Sequence, residues 1–234
     1  MATTTEGSTV TTARVRGWLG WFGLAVIVGM QAGTIFKPLG TIGDTRVADW
    51  VDLLTPFALL GCAAMVLVRA GAKPGAWVLF GAGAVSFTLG HGMHLAANSV
   101  SNVADPVVAK ADIVHLWDEV VSHWFWYVGL YLVLAALAWA LRHVTFPVGG
   151  ADLVVAALVA LTLVNNAIEG GTPWLGLVAL AAGLVLGLRW RPAPVSRLLV
   201  LVGGLGLVLL LGWGVFWAIA DGSVFPEFSE LGWI

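Results

Sequence analysis

The chain has 234 residues, of which 59% are apolar and 10% charged, and its mean hydropathy is +0.94. A soluble domain carries about 25% charged residues, so this chain has too little charge to cover a water-facing surface, and its solvent must largely be lipid. A net charge of −2 excludes the basic face that nucleic acid requires, and the single cysteine, Cys62, excludes an intrachain disulfide or a CxxC motif.

The first sixteen residues, MATTTEGSTVTTARVR, form a polar N-terminal tail (1–16) ending on Arg14 and Arg16. The apolar run behind it is long and ends on no small-residue cleavage site, so the tail reads as the flank of an uncleaved signal anchor. A spanning helix needs ~20 mostly apolar residues. Seven stretches meet that requirement, at about 17–36, 51–71, 74–99, 114–141, 151–169, 173–190 and 196–220. They predict an all-α integral membrane protein, with a seven-helix transmembrane domain over 17–220 and a C-terminal tail over 221–234. The runs are continuous rather than alternating, which excludes a barrel. Gly29 and Gly33 in GMQAG form a GxxxG that reads as internal packing, and no internal repeat points to an inverted-repeat transporter. Between the fifth and sixth stretches, Gly170, Gly171 and Pro173 suit a short hairpin.

Basic residues set the direction. Arg14, Arg16, Arg69, Lys73, Arg142, Arg189, Arg191 and Arg197, eight of eleven, fall on one side. The other side holds Lys37, Arg46 and Lys110 among Asp44, Asp49, Asp105, Asp112, Asp221, Glu227 and Glu230. The positive-inside rule puts the N-terminus in the cytoplasm and the C-terminal tail outside, in a multi-pass protein of the cell membrane.

With directions assigned, polar residues gather at one depth. The third stretch runs outward, so His91 and His94 lie roughly 6–12 Å below the outer edge at 1.5 Å per residue. The fourth runs inward and opens with His115, Asp118, Glu119, Ser122 and His123; the fifth ends with Asn165, Asn166 and Glu169. Gln31, Asp49, Asp52 and Asp221 share that slab. The cytoplasmic half holds no chain of titratable groups, which argues against a proton pump or channel. At roughly 100° per residue, His115, Glu119 and Ser122 share one stripe, flanked by Asp118 and His123.

Imidazoles and carboxylates at one level suit a metal ion such as zinc, iron, copper or manganese. The expected ligands are His91, His94, Glu119 and His123, with His115, Asp118 and Glu169 as further ligands, orienters or a general base. Asn165 and Asn166 would line the site, and Trp124 and Trp126 would wall it, while the other tryptophans form an interfacial belt. Three classes of function fit this constellation. One is a metal-dependent hydrolase or oxidase acting on a lipid or amphiphile from the outer leaflet, with Glu119 or Asp118 moving the proton. Another is a redox module holding haem b between His91 or His94 and His123 or His115. The third is a non-catalytic protein that captures a cation or small molecule at the periplasm-facing surface. Seven spans with His, Asp and Ser invite comparison with ceramidase- and progestin-receptor-like membrane hydrolases. Their shared His-xxx-His near the last span has no counterpart here, because the sixth and seventh stretches hold no histidine, so no family is assigned.

Overall fold

The computed structural model describes residues 5–103 and 112–233; Met1–Thr4, Asp105 and Lys110 lie outside the described residues. Helix α1 (Thr5–Gly29) begins within the polar tail and breaks at Met30–Gln31, where α2 (Ala32–Phe36) takes over. A single 3₁₀ turn (Lys37–Leu39) leads into a hairpin of β1 (Thr41–Ile42) and β2 (Thr45–Arg46), paired antiparallel with Ile42 opposite Thr45. The helices α3 (Val47–Asp52), α4 (Thr55–Arg69) and α5 (Pro74–Val103) follow. Next comes α6 (Asp112–His115), which passes through a π-helical turn (Leu116–Val121) into α7 (Ser122–Leu141). Helices α8 (Gly150–Glu169), α9 (Pro173–Arg189) and α10 (Pro194–Ala220) complete the bundle. Proline at the first helical turn starts α9 and α10, where its missing N–H costs nothing.

Five stretches are long and apolar enough to cross a membrane: Val47–Arg69, Pro74–Val100, Ile113–Leu141, Gly150–Glu169 and Pro194–Ala220. The pair Ala13–Gly29 and Ala32–Leu39 makes a sixth if taken as one span, although it bends by 62°. The remaining expected span, Pro173–Arg189, has 17 residues, so it rises only ~26 Å against a hydrocarbon core of ~30 Å. Length and composition therefore establish five or six of the seven expected spans. The bend also splits GMQAG: Gly29 lies against Thr55, whereas Gly33 faces open space on the far side of the break.

Close helix approach positions the polar slab. A Cβ at Gly90 on α5 would sit 2.2 Å from the Trp126 backbone nitrogen, and one at Gly129 on α7 would sit 2.2 Å from that of Phe87. Only glycine allows that separation, so Gly83, Gly90 and Gly129 bring α5 and α7 into backbone contact. The apolar core then runs through Val26, Leu59, Phe87, Leu130, Leu163 and Leu210, with Cys62 packed half-buried against it as a free thiol. At the end bearing most of the arginines, Arg16 Nε lies 3.0 Å from Asp152 Oδ1, tying α1 to the start of α8. Asp152 also accepts from the Gly149 amide at 2.7 Å.

Candidate functional site

The polar residues meet at the opposite end of the bundle, where α3, α5, the π turn, α7 and α8 come together. Gly90 presses α5 onto α7, so the next turn of α5 lays His91 and His94 against the start of α7. Three histidine–carboxylate contacts result. His91 Nε2 lies 3.1 Å from Asp52 Oδ1. His94 Nδ1 lies 2.9 Å from Asp118 Oδ1. His123 Nδ1 lies 3.5 Å from Glu119 Oε2. Asp52 is itself held by the Thr55 hydroxyl, which donates to the same Oδ1 at 2.9 Å across the α3–α4 junction.

Trp126 is the hub. Its ring centroid stands 5.1 Å from those of both His91 and His94 and 5.4 Å from Tyr127, on which it stacks. The His94 and His123 rings pack against each other at 5.0 Å with a 38° tilt, which leaves no slot for a haem plane between them. Four buried polar atoms in this cluster have no hydrogen-bond partner among the described residues: His94 Nδ1, Asp118 Oδ1, His123 Nδ1 and Trp126 Nε1. His94 Nδ1 and Asp118 Oδ1 face each other at ion-pair distance.

The π turn decides which residues of the fourth stretch enter the cluster. An i→i+5 turn holds more residues than an α turn, so each side chain advances by less than the regular ~100°, and this re-aims the side chains between His115 and Ser122. Asp118, Ser122 and His123 are buried, and the Ser122 hydroxyl donates to the Asp118 carbonyl inside the widened turn. Glu119 keeps 43% of its side chain exposed and His94 18%, so the cluster reaches the surface through these two.

Several expected members stand elsewhere. His115 precedes the π turn and is exposed, outside the buried part of the cluster. Trp124 is exposed at 47% whereas Trp126 is buried, because residues two apart on a helix point about 200° apart. Asn165 faces Gln31 at the α1–α2 break, 3.5 Å from its Oε1. Asn166 donates to the Thr162 carbonyl at 2.8 Å and lies 3.5 Å from the Tyr127 hydroxyl, behind the cluster. Glu169 turns to the C-terminal tail and accepts from the Phe228 and Ser229 amides at 2.9 and 3.4 Å. The expected ligand set is therefore divided among separate partners. Among the described residues, no three of the His, Cys, Asp and Glu side chains gather into a group that could hold a metal ion.

Two participants escape a reading by span. Asp52 belongs to the right slab, yet its pairing with His91 depends on the kink at Leu53–Leu54 that ends α3. The tail folds back over the site: Phe225 packs on Gly214 and Trp174, and Trp213 Nε1 donates to the Pro226 carbonyl at 3.0 Å. That fold delivers Glu227 beside Gly171 and toward Glu169. Burial, then the charges of Glu169, Glu230 and Glu119, push the Glu227 carboxyl up to about 7. Compared with known proteins, the chain matches no family model, no curated protein and no solved structure.

Proposed function

We propose that this is a multi-pass membrane protein with seven spans, its basic side in the cytoplasm, whose outward-facing histidine–carboxylate cluster performs acid–base chemistry on a polar group. The counting of the first, bent helix pair and of the short α9 as spans follows from the eight basic residues at one set of helix ends. The observation that carries the chemistry is the pairing of each cluster histidine with its own carboxylate around Trp126. A carboxylate beside an imidazole orients the ring and stabilises its cation, which is the requirement for a general acid or base. Ionisable side chains inside a membrane cost about 2.5–3.5 kcal/mol each, so three such pairs at one level favour use over decoration. The half-exposed Glu119 gives a lipid or amphiphile in the outer leaflet its approach, with Asp118 and Glu119 as the proton-moving carboxylates.

The test is histidine ¹⁵N NMR on purified protein, read across pH. Asp118→Asn is expected to shift the titration of His94, and Glu119→Gln that of His123, each by more than it shifts the other. Titrations indifferent to both substitutions would overturn the reading. Turnover of an amphiphilic ester, lost in Glu119→Gln, separates an enzyme from a binder.

A second reading, a bound transition metal, draws on the buried nitrogens and oxygen of His94, Asp118 and His123, and it requires these side chains to rearrange, because among the described residues they do not gather into a group that could hold an ion. Elemental analysis of chelator-free protein is decisive for it: stoichiometric metal that disappears in His94→Ala supports it, and none in the wild type ends it.

A further inference from the structure

The basic side holds two hollows that neither reading uses. The first is a partly open cavity of about 450 Å³ lined by α1, α7, α8, α9 and α10, apolar apart from Tyr131 and Asp152. The charge of Asp152 is already taken, since Arg16 and the Gly149 amide hold its two oxygens. The second is a depression of about 730 Å³ between residues 142–145 and 189–194, lined by Arg142, His143, Arg189 and Arg191. It contains no acidic residue, and among the described residues none of its three guanidinium groups meets a carboxylate. Arg142 is oriented by its own neighbours, with its guanidinium 5.0 Å from the Trp139 ring centroid and its Nε 2.9 Å from His143 Nε2.

The two hollows share the same three helix ends. Leu141 lines the cavity and Arg142 the depression at the end of α7; Val195 and Pro194 do the same at the start of α10. On α9, Leu186 lines the cavity and Arg189, one turn later, the depression. An apolar hollow lying next to a cationic one at the ends of the same helices has the chemistry of one amphiphile, an acyl chain below and an anionic head above. The cavity is of ligand size, and basic pockets between helix ends take phosphate head groups.

We infer that Arg142, Arg189 and Arg191, together with the cavity beneath them, form a binding site for an anionic phospholipid. A single lipid held there would link α7, α9 and α10 on the side of the bundle away from the histidine cluster.

Native mass spectrometry of the full chain, exchanged into either phosphatidylglycerol or phosphatidylcholine, tests the assignment. The wild type is expected to retain phosphatidylglycerol in preference. Replacing Arg142, Arg189 and Arg191 together by glutamine is expected to erase that preference, at about fivefold per arginine, since each cation near an anionic surface is worth about 1 kcal/mol. A second variant probes the chain-binding half. Gly183 lines the cavity and a Cβ there meets nothing within 4 Å, so Gly183→Leu adds apolar bulk at the cavity wall from an unobstructed Cβ. That variant is expected to retain less phosphatidylglycerol while melting no lower than the wild type. Equal retention of the two lipids by the wild type would overturn the proposal. Protection by glycerol phosphate equal to that by phosphatidylglycerol would do the same, since it would make the site one for a soluble anion.

Discussion

The two ends of this bundle are built on opposite plans. At the acidic end, buried polarity is dense: three histidine–carboxylate contacts and a π turn lie around one tryptophan. At the basic end, burial is apolar, a cavity replaces side chains, and the main ion pair, Arg16 with Asp152, sits where Arg16 is 40% exposed. Charges cost most where water is excluded, so an arrangement that hides its carboxylates at one end and shows its arginines at the other concentrates the energetic stakes at the first. Individual glycines serve two purposes. Near His91 glycine lets backbones touch, whereas at Gly183 it leaves space.

Removing one carboxylate from each end is the strongest way to break this contrast. Asp118→Ala leaves His94 buried without its counter-charge and is expected to cost about 3–5 kcal/mol, the range for breaking a buried pair from one side. Asp152→Ala loses a partly exposed pair and a cap on the Gly149 amide, and is expected to cost about 1–2 kcal/mol. Thermal melts of the two variants in the same detergent decide the matter. Equal losses would mean that the acidic cluster is wetter than its burial implies.

A smaller effect separates the glycines. Gly90→Ala puts a methyl 2.2 Å from the Trp126 nitrogen, against backbone that cannot step aside. The helices must part, at about 1–3 kcal/mol, and His91 and His94 must part with them from Trp126. Gly183→Ala meets open space and gains helix propensity of up to ~1 kcal/mol. Opposite signs in the two melting shifts are expected; a fall for both would place α9 under a constraint that the cavity does not display.

Much of this was readable from residue order alone. The turn between the fifth and sixth stretches followed from Gly170, Gly171 and Pro173: Gly171 stands at positive φ and Pro173 opens the next helix. The meeting of His94 with residues of the fourth stretch followed from alternating direction and equal depth. The rest depended on features without periodicity. A π turn leaves no mark in a hydrophobic pattern, yet it buries Asp118 and leaves His115 outside. The 62° bend at Met30–Gln31 spoils a GxxxG that looks continuous in sequence. Glu169 was placed at the right level, but its partners are tail amides some 60 residues away, and no local spacing encodes that return.

The tail supplies the gentlest distinction between the two ends, through Glu227. Its carboxyl titrates about 7 in the folded protein against an ordinary 4.5, because it is partly buried and faces Glu169, Glu230 and Glu119, with only the Ser229 hydroxyl in support. The folded state therefore binds this proton more tightly than the unfolded state, and stability contributed by the neutral carboxyl is full below about 4.5 and lost as pH rises through about 7. Tail docking is expected to loosen between pH 6 and pH 8. The Phe228 amide is the local reporter, since it donates to Glu169, the carboxylate that an ionised Glu227 repels. Its hydrogen-exchange protection, corrected for the intrinsic pH dependence of exchange, should fall over that interval in the wild type and stay level in Glu227→Gln. The Leu153 amide, bonded to the Gly149 carbonyl at the basic end, should not respond in either protein. A Phe228 amide that loses protection equally in both would remove Glu227 as the cause and leave the pH response to the histidine cluster beneath it.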